Sequence, residues 1–357
     1  MKNRFIMIVI ACIMIAHNSI GSIENNQLPI KIGMSMALSG PAGDLGQRLL
    51  KGIQPVIQRV NQEGGVKGRK IQLIIKDDQY KPDLTVKNTI KMLKHDQVDL
   101  FFSFVGTPTV SKVAPLFLSY DRMLFFPFTG AENLRLSPLD GHIYHNRPSY
   151  WVETKTIVDY LVTQGKKKIA IFFQHDSFGQ NGRVGVIKTL KKYQLEPTLS
   201  VNYRRNQFDV EQAQEVADMI HDSQSDAVIC IANHSASAKL IKAIRETSRI
   251  PIANVSFADP IELVSMLIAD DKSSDKEHYV SQLIHSIVVP YDKVIQTIGH
   301  FDPIRYEGYA NTTLLTQLLD KISSPISQWT PQDVQKQLRP SDHSFIIHYQ
   351  DGSWKPI

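Results

Sequence analysis

The stretch Ile30-Lys31-Ile32-Gly33-Met34-Ser35-Met36-Ala37-Leu38-Ser39-Gly40-Pro41-Ala42-Gly43-Asp44-Leu45-Gly46 decides the class of this chain. Apolar residues alternate at Ile30, Ile32, Met34 and Met36, the period of a strand. They then recur at Leu45, Leu49, Ile53, Val56, Ile57 and Val60, the period of a helix. Gly64-Gly65-Val66-Lys67-Gly68 supplies permissive dihedrals for a reversal, and Ile71-Gln72-Leu73-Ile74-Ile75 reads as a second buried parallel strand. Pro55 falls inside the helix pattern and is expected to kink it or force a local adjustment.

Working outward, strand and helix patterns alternate, as in parallel sheets flanked by helices. Helices are expected at Pro82 to His95 and Thr107 to Tyr120, with strands at Val98 to Val105 and Met123 to Phe126. After the extended segment His142 to Asn146, a helix from Ser149 to Gln164 opens a second series. Its strands are expected at Ile169 to Phe173, Thr198 to Tyr203, Ala227 to Ile231 and Ile252 to Val255. Ser286 to Pro290 reads as a strand returning to the first sheet, with Tyr306 to Ile322 as a helix packing on it. Phe345 to Tyr349 and Ser353 to Pro356 read as a terminal hairpin.

Lys2 and Arg4 precede the apolar run Phe5 to Ala16, which points to a secretory signal peptide over residues 1–21 and a periplasmic mature chain. The run is about a dozen residues long, short of the ~20 that span a bilayer. Val9-Ile10-Ala11-Cys12 loosely resembles a lipoprotein processing site, but the apolar run continues past Cys12. With the leader gone Cys230 stands alone, so no intramolecular disulfide is expected, and its strand pattern makes the thiol a small apolar residue.

The 357 residues, 42% hydrophobic and 21% charged, suffice for two lobes. A net charge of +5 is too mild to imply nucleic acid. HExxH, GxSxG and Walker A patterns are absent, and Gly40, Gly43 and Gly46 lack the GxG opening of a dinucleotide fingerprint. His142 and His145, three apart in an extended segment, should face opposite sides. No catalytic residue, metal or cofactor is therefore expected, and the chain reads as a binder and not an enzyme.

Several motifs carry a resemblance. They are Ile32-Gly33-Met34-Ser35 with Leu38-Ser39-Gly40-Pro41; Val60-Asn61-Gln62-Glu63-Gly64-Gly65-Val66-Lys67-Gly68-Arg69; and Lys76-Asp77-Asp78. Further along come Phe128-Thr129-Gly130-Ala131-Glu132 with Leu134-Arg135, Asn146-Arg147-Pro148-Ser149-Tyr150, Asp176-Ser177-Phe178-Gly179-Gln180, Val255-Ser256-Phe257 and Tyr306-Glu307-Gly308-Tyr309. In this order and spacing the chain resembles the type I periplasmic binding proteins of the leucine/isoleucine/valine-binding family, solute receptors of ABC transporters.

The resemblance implies two doubly wound, mostly parallel α/β lobes joined by three hinge crossings, near Arg147, Pro290 and His343. Residues 28–147 and 290–342 would form lobe I, and residues 148–289 and 343–357 lobe II. It implies a monomer that encloses a small amino acid, amide or carboxylate and delivers it to a membrane permease of an ABC transporter. A sensory ligand-binding module of the same fold is the alternative.

Ligands of open parallel sheets bind beyond the carboxyl ends of strands. The first-lobe candidates are Ser39, Gly106, Thr107, Thr109, Phe128, Thr129 and Gly130. Hydroxyls and helix-terminal N–H groups there could receive a carboxylate, though Thr107 could instead simply cap its helix. From the second lobe come Tyr150, Phe178, Asn233 and Phe257, whose aromatics could wall an apolar pocket or belong to the core. Where the family places an acid against a ligand ammonium, this chain reads Val255-Ser256-Phe257-Ala258, with Asp259 next in sequence. That departure leaves leucine-type specificity open.

Overall fold

The computed structural model describes residues 28–40, 42–269, 280, 283–338 and 344–357. The expected leader at residues 1–21 with Cys12, and the crossing expected near His343, lie outside the described residues. Within them no helix is long and apolar enough to cross a membrane.

The opening stretch forms β1 (Ile30–Met36), α1 (Gly43–Gln62) and β2 (Ile71–Asp77). Next come α2 (Pro82–Lys91), prolonged by a π-helical turn at Met92–Asp96, then β3 (Leu100–Phe102), α3 (Thr107–Ser119), β4 (Leu124–Phe125) and β5 (Ile143–Tyr144). Among the described residues these strands make a five-stranded sheet, order β2-β1-β3-β4-β5, parallel throughout. β3 and β4 are shorter than the apolar runs suggest. Ser103 and Phe126, immediately after them, take left-handed backbone (φ 54° and 50°), which ends the pleat.

The second series is α4 (Tyr150–Thr163), β6 (Ile169–Gln174), α5 (Ser177–Lys192), β7 (Leu199–Tyr203), α6 (Val210–Asp222), β8 (Ala227–Ile231), α7 (His234–Arg245), β9 (Ile252–Asn254), α8 (Pro260–Ile268) and β10 (Leu283–Ile287). Three helices follow, α9 (Tyr291–Ile298), α10 (Pro303–Lys321) and α11 (Pro331–Gln337), and then the hairpin β11 (Phe345–Gln350) and β12 (Ser353–Pro356). The sheet order is β12-β11-β10-β9-β8-β6-β7, parallel from β7 to β10 and antiparallel across β11 and β12. The strand expected to return to the first sheet is thus corrected. β10 pairs Leu283 with Ile252 and His285 with Ile347, so it belongs to the second sheet, and the chain leaves that sheet only after it. An apolar run records burial, not which sheet does the burying.

α10 lies against α1, where Gly52 and Gly308 let the helices approach. A Cβ at Gly52 would sit 1.9 Å from Arg305 O, and one at Gly308 2.3 Å from Leu49 O. Asp302 caps α10 by accepting from Arg305 N, so the helix begins ahead of its expected start, with Pro303 in its first turn. α1 continues through Pro55 as one helix. Pro55 is exposed, so the carbonyl that loses its partner can turn to water.

Both parallel series reverse direction in the same way, beside β1/β3 and beside β6/β8, and this puts a crevice beyond the carboxyl ends of each sheet. One apolar cluster runs from Met34 and Phe128 in the first lobe to Phe178, Val255 and Phe257 in the second, so the two crevices close on each other. His142 and His145 have separate partners, Asp121 Oδ1 and Leu134 O.

Candidate functional site

On the first-lobe side the loops after β3 and β4 meet. Gly106, in the cap position of α3 with φ 98°, donates its N–H to Phe128 O at 3.1 Å. A Cβ there would lie 2.0 Å from the Tyr80 ring, so glycine is required both for the backbone and for seating that ring. Thr107 is therefore the first residue of the helix and makes no cap bond. Its hydroxyl is buried and lies 2.7 Å from the hydroxyl of Thr129, which accepts from Ala131 N at 3.2 Å. Gly130 accepts from Tyr150 N at 2.7 Å, and a Cβ on it would come within 2.8 Å of that nitrogen.

Aromatic rings from both lobes close the space in front of these hydroxyls. Phe257, after β9, sits 5.8 Å from both Tyr80 and Phe128 and 4.6 Å from Phe178, which is 5.3 Å from Tyr150. All five rings are buried. Arg205, from the loop after β7, reaches over Tyr80 with its guanidinium 4.9 Å from the ring centre. Asn181 of α5 bridges to the first lobe, accepting from Glu132 N at 2.9 Å and donating to Asn133 Oδ1 at 3.1 Å.

Behind the rings lies a buried charge array. Arg147 stacks 4.0 Å over Phe128 and donates through Nε and Nη2 to both oxygens of Glu307, at 3.1 and 3.0 Å. Glu153, at the start of α4, accepts from Ser256 N at 2.9 Å through Oε2. Arg147 Nη1, Tyr80 Oη, Tyr150 Oη, Glu153 Oε1 and Ser256 Oγ are buried here outside full hydrogen-bond geometry, although the Ser256 hydroxyl comes close enough to Glu153, and that of Thr107 to Tyr150, to favour their charged forms. Burial raises the Glu153 carboxyl above its ordinary range against the pull of Arg147, and pushes the Tyr150 phenol up to about 12. Burial pulls Arg147 down, but Glu307 and Glu153 hold it above its usual value and keep it charged. An unsatisfied buried polar group costs about 1–3 kcal/mol.

Of the residues singled out by sequence, the structure gathers Gly106, Thr107, Phe128, Thr129, Gly130, Tyr150, Phe178 and Phe257 around this interior. It does not gather three others. Ser39 is exposed and donates to Asp77, Thr109 returns its hydroxyl to Val105 O and Gly106 O, and Asn233 caps α7. Tyr80, Glu153 and Arg205 were missed. Tyr80 follows β2 as directly as the chosen loops follow their strands, and Glu153 stands three residues from Tyr150 on one helix face, so both were open to the same reasoning. Asp259 points away from this interior, capping α8 and pairing with Arg48. Among the described residues no group of His, Cys, Asp and Glu is arranged to hold a metal ion. Cys230 is buried in β8, its thiol pushed up to about 12 by burial.

Residues 29–260 match the family described as periplasmic binding protein. Leu/Ile/Val-binding protein homolog 3 of Brucella melitensis is 22% identical over 152 residues, 42% of this chain and 41% of the relative's own length. A solved structure of a possible leucine/isoleucine/valine-binding protein from Rhodopirellula baltica superposes with a TM-score of 0.80 at 23% identity, covering 94% of this chain and 98% of that one. The fatty acid ABC transporter substrate-binding protein from Thermomonospora curvata superposes with a TM-score of 0.77 at 18% identity, covering 93% and 92%. At such identities the superpositions speak for the fold alone.

Proposed function

The chain belongs to the periplasmic binding protein family, and from that premise we propose that it binds an amino-acid-like solute between its lobes and delivers it, as a periplasmic monomer, to an ABC-type permease. Residues 28–147 with 290–342 act as one lobe and residues 148–289 with 343–357 as the other. Closure is favoured because only the closed arrangement satisfies contacts from both walls.

One observation carries the choice of solute: the buried Glu153 carboxyl, whose Oε1 makes no full hydrogen bond, with only the Ser256 hydroxyl close by. Leucine-type and fatty-acid solutes share a carboxylate and an apolar tail, and differ in the ammonium. The Thr107 and Thr129 hydroxyls and Arg147 Nη1 suit the carboxylate, the rings suit the tail, and Glu153 meets the ammonium. The acid absent at Ser256-Phe257 is thereby supplied from another element, through the bond between Ser256 N and Glu153.

Thermal unfolding with matched pairs tests this, for example L-leucine against 4-methylpentanoate and L-phenylalanine against 3-phenylpropanoate. A stabilising shift is expected from amino acids and a much smaller one from the deaminated partners. Equal shifts within every pair would remove the role given to Glu153.

A further inference from the structure

Arg48 lies in α1 of the first lobe, and its side chain crosses to the second. Nε is 2.7 Å from Asp259 Oδ2, Nη2 is 2.5 Å from Glu262 Oε1, and Nη1 is 3.1 Å from Asp302 Oδ2. Asp259 is the cap of α8 in the second lobe and Asp302 the cap of α10, which packs on α1. One guanidinium therefore ties together the N-termini of two helices from opposite lobes.

This is not an ordinary surface pair. The Asp259 side chain is 1% exposed, and the residue stands two positions after Phe257, so the arrangement that seats Phe257 on Tyr80 and Phe128 also has this carboxylate buried. Burial pushes Asp259 up to about 6 in spite of Arg48, so the group resists being enclosed even with its partner in place. The nearby His234, 4.0 Å from Asp44, is held below its ordinary value by burial and brings no compensating charge at neutral pH. Enclosing an ion without a partner is far more costly than enclosing it paired.

We propose that Arg48 is an interlobe clamp, a positioning residue that touches no solute but permits closure by neutralising Asp259 and Glu262 as the lobes meet. The proposal rests on the two-lobe closure described above, and it has a consequence beyond the loss of an attraction. Removing Arg48 alone should hold the protein open, whereas removing the Asp259 charge as well should let it close again.

Closure can be read without any solute through Asn133 and Asn181, which meet across a different part of the cleft. In an Asn133→Cys/Asn181→Cys parent, the rate of oxidative cross-linking, quantified on the 133–181 peptide by mass spectrometry, follows the closed population even where that population is small. Arg48→Met should slow it by about tenfold or more, and Arg48→Met/Asp259→Asn should recover to within about threefold of the parent. Circular dichroism melting verifies that each variant folds. Cross-linking of Arg48→Met at the parental rate, or no recovery on adding Asp259→Asn, overturns the clamp. A parent that never cross-links counts against lobe closure itself, and against the clamp with it.

Discussion

Two buried carboxylates, one in each lobe, are treated in opposite ways. Asp78, at the end of β2, takes hydrogen bonds from Ser35 Oγ at 2.8 Å, Tyr80 N at 3.0 Å and Thr85 Oγ1 at 3.1 Å, so both of its oxygens are engaged. Glu153 takes one full bond, from Ser256 N, and its Oε1 makes none, with only the Ser256 hydroxyl close by. The first is a brace that shapes the loop carrying Tyr80. The second, on the function proposed above, is completed by the solute.

Four experiments break or sharpen that contrast. Arg147→Met strands Glu307 and weakens the support of Glu153, and should cost about 3–5 kcal/mol in urea unfolding, since it leaves buried charge unpaired. If stability is unchanged, the array is not what holds the second wall.

The brace has a pH signature. Burial lifts Asp78 to about 6, above the ordinary carboxylate value that it has in the unfolded chain. Its contribution to stability is therefore complete below about pH 4 and lost as the pH rises through 6, up to about 3 kcal/mol over two units. Asp78→Asn should flatten that slope, seen as a difference from wild type that grows in favour of Asn between pH 4 and 7.

Glu153→Gln tests the other side. It should leave the melting temperature of the solute-free protein level or higher while weakening an amino acid by about 2 kcal/mol or more, measured calorimetrically, because the amide still accepts from Ser256 N, sheds the cost of a buried charge and leaves Glu307 to hold Arg147, while the ammonium loses its counter-ion. Smallest is Thr107→Val, which removes one hydroxyl of the Thr107–Thr129 pair. A loss of about 1 kcal/mol in solute binding is expected, with near-native unfolding.

The first wall was largely legible because its groups sit on the loops that leave β3 and β4, and strand ends can be read from apolar runs. The rings of the second wall were legible on the same ground. Its charge was legible only in part: Glu153 shares a helix face with Tyr150, but only the approach of the loop after β9 to α4 brings it to Ser256. Asp259 misled for a related reason, since a residue adjacent to the aromatic wall in sequence turns its side chain to Arg48. The strand read over Ser286 to Pro290 stands at Leu283–Ile287 and was assigned to the wrong sheet, because its own residues are buried on both faces and burial does not tell which sheet does the burying.

Sequence by itself determined the period of each element, the alternation of strands and helices, the turns, and the loops that open at strand ends, all of which follow from local geometry; the doubly wound class came from the resemblance. The tertiary structure alone decided which carboxylate is fully bonded, which is not, and which arginine joins the lobes. Those depend on pairs well separated in sequence, Ser35 with Asp78, Glu153 with Ser256 and Arg48 with Asp259, and no local pattern encodes the distance between them.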